Sequence, residues 1–132
     1  MIGLDTNVLV RYIVQDDAEQ AHAATRLIEG RCTERSPGYV NVLVLAELVW
    51  VLTRAYGYAD SDASRVILQL LRTTEFSIED SDAVWAALRA FEAGTADFAD
   101  YLIAQRNRAA GCASTYTFDR RAARGRHFAA VS

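Results

Sequence analysis

Apolar positions along this chain alternate between two spacings, and each switch marks the change from a short strand to an amphipathic helix. Ile2 to Leu4 is an apolar run too short for a helix. It stops at Asp5, after which Val8, Leu9, Tyr12 and Ile13 recur at helical spacing, so the pattern predicts strand, tight junction and helix. Asp17 to Glu29 reads as a second helix with Ala21, Ala24, Leu27 and Ile28 on its inner face, Asp16 or Asp17 as its cap and Gly30 as its stop. A polar loop from Arg31 to Gly38 precedes a second strand at Tyr39 to Val42. The apolar spacing then lengthens through Val44, Leu45, Leu48, Val49 and Leu52 into a helix closing near Gly57.

Asp60 or Ser61 opens the next helix, which carries Val66, Ile67, Leu70 and Leu71 inward, and Glu75 to Ile78 is a short strand. Asp80 to Ala93 forms another helix with Gly94 as its stop, and Asp97 to Ala110 a further one ended by Gly111. Ala113 to Phe118 alternates like a strand, a short Arg-rich helix follows, and Phe128 to Val131 is a terminal apolar piece. Strands alternating with helices predict an α/β fold with a parallel sheet covered on both faces.

At 132 residues the expectation is one domain with a core of its own. A hydrophobic content of 52% with one proline describes an ordered globule with short loops. Val42 to Leu52 is the longest apolar stretch; broken by Glu47, it is too short to span a bilayer, so no membrane role is expected. No basic leader precedes the first apolar residues, and a cytoplasmic protein is expected. Cys32 and Cys112 are far apart and fit two reduced, buried thiols. Isolated His22 and His127 give no zinc spacing.

The net charge of −3 hides an asymmetry. Residues 1–100 carry eight Arg and sixteen acidic residues, a balance of −8, whereas residues 101–132 carry six Arg and only Asp119, a balance of +5. That division suits a protein holding cations in one place and a polyanion beside it, although a basic face can also simply be solvated. Lysine is absent, which excludes the P-loop and other lysine-dependent mechanisms.

Acidic residues recur at the predicted junctions. Asp5 stands at the carboxyl end of the first strand, where parallel α/β sheets form their ligand crevice; taken alone it reads better as an N-cap, and chemistry there depends on other acids converging on the same end of the sheet. Glu47 is the one charged residue between Pro37 and Thr53, in a helix apolar almost all round, where a lone buried carboxylate costs several kcal/mol unless protonated, paired or bound to a cation; a snorkelling or salt-bridged glutamate at the one wet edge is the alternative. Asp97 and Asp100, three apart, share a helix face in the first turn, where capping alone could explain either one. Asp119 repeats the strand-end placement of Asp5, and a cap is again the simpler reading. Two carboxylates ~4 Å apart repel by about 4 kcal/mol at an effective dielectric near 20, so acids converging on one crevice call for a counter-charge. Oxygen ligands without Cys or His select Mg²⁺ or Mn²⁺, and a water-rich site of that kind suits attack on a phosphodiester.

Leu-Asp-Thr-Asn-Val-Leu-Val from Leu4, the lone Glu47, Asp-Phe-Ala-Asp-Tyr-Leu-Ile-Ala from Asp97 and Thr-Phe-Asp-Arg from Thr117 together resemble the PIN-domain ribonucleases. Within these the chain is most similar to the VapC-type toxins of bacterial toxin–antitoxin pairs. The resemblance covers the whole chain in order. It implies a PIN-like three-layer fold with a central parallel sheet of four to five short strands. Asp5, Glu47, Asp100 and Asp119 match the family's acidic quartet, and Asp97 the extra acid one turn earlier. Thr6, Asn7 and Thr117 fall where hydrogen bonders behind the ligands are expected; Tyr101 replaces a small residue usual after the third acid. The resemblance further implies Mg²⁺- or Mn²⁺-dependent cleavage of RNA leaving a 5′-phosphate, a homodimer and a cognate antitoxin. Arg106, Arg108, Arg120, Arg121, Arg124 and Arg126 are candidates for phosphate contacts.

Two other classes are compatible with acids at strand ends. An aspartyl-phosphate phosphatase or receiver domain normally uses a lysine, and the phosphatases need a second Asp where Asn7 stands. A non-catalytic module would use the acids for a structural metal, and bind RNA or protein.

Overall fold

A computed structural model describes residues 1–132, which fall into two compact units, Met1–Glu79 and Asp80–Ser132. In the first, β1 (Ile2–Gly3), α1 (Thr6–Val14), α2 (Ala18–Arg31), β2 (Gly38–Val40), α3 (Val42–Arg54), α4 (Asp60–Arg72) and β3 (Phe76–Ile78) follow in order. The strands form a parallel sheet in the order β1-β2-β3, with Gly3 opposite Tyr39 and Tyr39 opposite Ser77. Two of the helices, α2 and α3, begin where a polar side chain satisfies a free N–H group. Asp17 accepts from Gln20 N at 3.0 Å to start α2, and Asn41 accepts from Val44 N at 3.0 Å to start α3. Asn41 is also why the second strand stops at Val40, short of the Val42 expected from the apolar run. The core holds Leu4, Leu9, Val10, Val40, Leu45, Leu48, Leu52 and Ile67. At Gly38 a Cβ would stand 2.7 Å from Leu4 Cδ1 and 2.9 Å from Cys32 Sγ, so glycine lets β2 lie against both side chains.

The second unit runs α5 (Ser81–Ala93), α6 (Phe98–Ala109), β4 (Thr115–Thr117), α7 (Arg120–Ala123) and β5 (Phe128–Ala130). The helices α5 and α6 pack through Val84, Leu88 and Leu102, and Phe91 meets Phe98 edge-on with ring centroids 5.8 Å apart. β4 and β5 pair in parallel, Thr115 with Phe128 and Thr117 with Ala130.

The α/β class with parallel strands is as expected. The five strands, however, divide into a sheet of three and a pair instead of one continuous ladder. None exceeds three residues, so each offers few ladder hydrogen bonds. Cys32 is buried, but Cys112 is exposed, a correction to the expectation of two buried thiols. It follows Gly111, whose φ of 101° ends α6 at the surface. No helix is long and apolar enough to cross a membrane.

Candidate active site

In the first unit, Asp5 occupies the N-cap of α1 with extended backbone (φ −80°, ψ 159°), yet its side chain makes no capping hydrogen bond. The carboxylate is exposed and uncommitted. The next residue, Thr6, is buried and donates from Oγ1 to Glu47 Oε1 at 2.9 Å, which ties α1 to α3 beside Asp5. Asn7 is exposed in the same turn.

Glu47 itself is exposed, which overturns the buried reading and matches the alternative of a glutamate at the one wet edge of the helix. α3 buries Val44, Leu45, Leu48, Val49 and Leu52, and Glu47 belongs to the opposite row, between Leu43 (73% exposed) and Trp50 (62%). Composition alone hid this row, because apolar residues fill it on both sides of the glutamate.

In the second unit Asp97 is the N-cap of α6 and Asp100 lies in its first turn. The Asp97 backbone N–H donates to Asp100 Oδ2 at 3.3 Å. Burial pushes the Asp100 carboxyl above its ordinary value. The hydrogen bond from Asp97 opposes this, while the charges of Asp97 and Asp119 add to it. Asp119, at the carboxyl end of β4, accepts from Arg121 N at 2.8 Å and Ala122 N at 3.3 Å, and these bonds hold its carboxyl below the usual range. Its capping role for α7 is therefore real, and leaves Oδ2 available. Thr117 Oγ1 accepts from the Asp119 backbone N–H at 3.0 Å and fixes the strand end.

Tyr101, beside Asp100 in α6, is buried. Its ring packs edge-on to Phe128 at 6.3 Å, and its hydroxyl accepts from Ala96 N at 3.3 Å in the loop before α6.

The six C-terminal arginines differ in how far they are engaged. Arg106 donates to Asp80 Oδ2 at 2.6 Å, Arg121 Nε lies 3.8 Å from Asp119 Oδ1, and Arg108 meets His127. Arg120, Arg124 and Arg126 are exposed. Sequence reasoning passed over Glu79, a carboxylate just beyond β3 whose Oε1 accepts from Val42 N at 2.9 Å at the start of α3. The strand-end rule that singled out Asp5 and Asp119 applied to it equally.

No three His, Cys, Asp or Glu side chains gather into a group that could hold a metal ion. The donor chemistry nevertheless fits a hard divalent cation. Every candidate ligand is a carboxylate, Asp5 is uncommitted, and the shift on Asp100 has the sign that a bound cation reverses. A cavity of about 620 Å³ in the first unit, walled by Tyr12, Ile13, Val66, Leu70 and Phe76, includes none of these acids and is not their site. The profile of a protein family described as PIN domain matches residues 2–127. No curated protein matches the chain.

Proposed function

The chain belongs to the PIN-domain family, whose members are generally nucleases, and on that premise we propose that it is a Mg²⁺- or Mn²⁺-dependent endoribonuclease. In this reading Asp5, Glu47 and Asp100 are the core metal ligands, and Asp97 and Asp119 complete the set. The observation that carries it is the half-buried Asp100 carboxylate with Asp97 and Asp119 near it: burial first, and their charges second, disfavour its charged form, a cost that a cation removes. When bound, the cation supplies a water of lowered pKa and neutralises charge on the phosphodiester.

The chain's own groups do the positioning. Thr6 holds Glu47, Thr117 holds the backbone of Asp119, and the N–H of Asp97 holds one oxygen of Asp100. No histidine or lysine stands among these groups to act as general base. The exposed arginines contribute phosphate contacts.

The proposal extends to a toxin of the VapC type with a cognate antitoxin, acting as a homodimer. Exposed Leu43 and Trp50 on α3 support a protein partner, since large apolar side chains flanking a functional acid are commonly covered. The test is incubation of the partner-free protein with mixed cellular RNA in Mg²⁺ or Mn²⁺ and then in chelator, alongside Asp5→Asn and Asp100→Asn. Discrete fragments with 5′-phosphates that vanish in chelator and in both variants are expected. RNA left equally intact by wild type and variants removes the hydrolytic reading.

A further inference from the structure

A second feature lies within Asp80–Ser132, along α6 from Tyr101 to Arg108, and its lining includes none of the acids. A half-enclosed cavity of about 340 Å³ is rimmed by Arg89 of α5, Arg108 of α6, and Arg126 and His127 just before β5. None of the three arginines is paired with a carboxylate. The helix dipole explains a cation in the last turn of α6, and so accounts for Arg108. It does not account for Arg89 and Arg126, which come from other elements to the same cavity.

All three arginines are exposed, so solvent screens their mutual repulsion, and their charges remain available to an anion entering the cavity. Arg108 Nη1 lies 3.2 Å from His127 Nε2, and since a guanidinium only donates, Nε2 is the acceptor and the imidazole is neutral with its proton on Nδ1. Burial, then the charges of Arg108 and Arg126, holds His127 below its usual value in agreement with that tautomer. Arg89 is steadied from behind, its guanidinium carbon 6.0 Å from the Trp85 ring centre.

We propose that this pocket binds a phosphate of an RNA strand at a point separate from the acids, with Arg89, Arg108 and Arg126 supplying the charge. Naming the strand RNA rests on the nuclease reading; the phosphate chemistry does not. Chain direction supports a continuous track between the two points. β4 and β5 are parallel, so the chain must return from the carboxyl end of β4, where Asp119 stands, to the amino end of β5, where the pocket lies. It returns through Arg120, Arg121 and Arg124. The eight residues from Asp100 to Arg108 span ~12 Å of helix, the length of three to four stacked nucleotides at ~3.4 Å each.

An acidic peptide is the competing occupant. Planar guanidinium forks fit either anion, but three cations around one cavity suit a phosphate, with its several charged oxygens, better than one small carboxylate.

The test is the affinity of a six-nucleotide single-stranded RNA measured in chelator over a range of salt, so that no hydrolysis intervenes. Arg89→Ala with Arg126→Ala is expected to weaken binding about tenfold or more at low salt. The slope of log affinity against log salt should shrink by about 0.7 for each phosphate that the variant no longer neutralises. Arg35→Ala, which removes one exposed charge from the first unit, should do far less. In the wild type, the His127 ring signals should shift on adding the RNA or inorganic phosphate, which localises the site without any variant. Unchanged affinity in the double variant, an equal loss in Arg35→Ala, or His127 signals that answer an oligoglutamate and not RNA would each overturn the proposal. Binding through the pocket with no metal-dependent cutting sinks the nuclease reading alone, whereas cutting with an indifferent pocket sinks this one alone.

Discussion

Asp100 and Asp119 respond to acid in opposite directions, because one is half-buried and the other is hydrogen-bonded. The folded-state value of Asp100 is raised, so its contribution to stability is complete below the unfolded carboxylate value, about 3.9, and is lost as pH rises through the folded value. At pH 7 without metal its charge works against the fold. Asp100→Asn should therefore raise the melting temperature in chelator and abolish the gain from added Mg²⁺, while activity falls at least a hundredfold; a lower melting temperature in chelator would contradict the assignment. Asp119 is lowered, so its contribution is present above the unfolded value and lost as pH falls through the folded value. Asp119→Ala should destabilise at pH 7 and be harmless near pH 2, as thermal melts at the two pH values would show. Thr6→Val removes the hydroxyl that holds Glu47. It should cost about 1 kcal/mol of stability, but ten- to a hundredfold in activity, as loss of a ligand's hydrogen-bonding support does. Activity equal to wild type would free Glu47 from dependence on Thr6.

At the level of elements, α3 is the piece on which the first unit depends, because it carries Glu47 on one row and five buried apolar residues on the others. Its start rests on one amide, Asn41. Asn41→Ala should cost about 1 kcal/mol in urea denaturation with an unchanged slope, and no loss of stability would show that the cap is dispensable. The turn from α5 into α6 depends on a side chain that is absent. A Cβ on Gly94 would collide with the Tyr101 hydroxyl and approach the Ala90 carbonyl oxygen to 2.9 Å. Gly94→Ala should accordingly destabilise by about 1–3 kcal/mol. The Tyr101→Phe background should relieve part of that cost, and equal costs in both backgrounds would exonerate the hydroxyl.

Across the whole molecule, charge is divided between the units. Met1–Glu79 carries seven Arg and eleven acidic residues, while Asp80–Ser132 carries seven Arg and six acidic residues, so −4 stands against +1. A polyanion is drawn toward the second unit, where the arginines of α7 and the basic pocket lie. Self-association belongs to the same scale. If α3 is covered by a second copy, Trp50→Glu should halve the mass seen by light scattering at micromolar concentration, since a charge placed in an apolar contact is costly to desolvate. A wild type already monomeric there would remove the homodimer.

Much of this was readable in one dimension. Periodicity is local, so the alternation of strands and helices, and acids at strand ends such as Asp5 and Asp119, followed from the order of residues alone. The breakpoint at Asn41 was missed because an asparagine between valines reads as part of the strand until its amide is seen on Val44 N. Exposure of Glu47 with Leu43 and Trp50 was illegible because burial depends on which row of a helix meets a neighbour. The same holds for the basic pocket: Arg89, Arg108 and Arg126 are far apart in the chain, and nothing local marks Arg89. Element order, the α/β class and the identity of the acidic residues were thus written into the chain itself, since short-range sterics, capping and hydrophobic spacing decide them. Which carboxylates lie free, crowded or capped, and which arginines meet, was left to the folded arrangement, because those properties arise from contacts between residues remote in sequence.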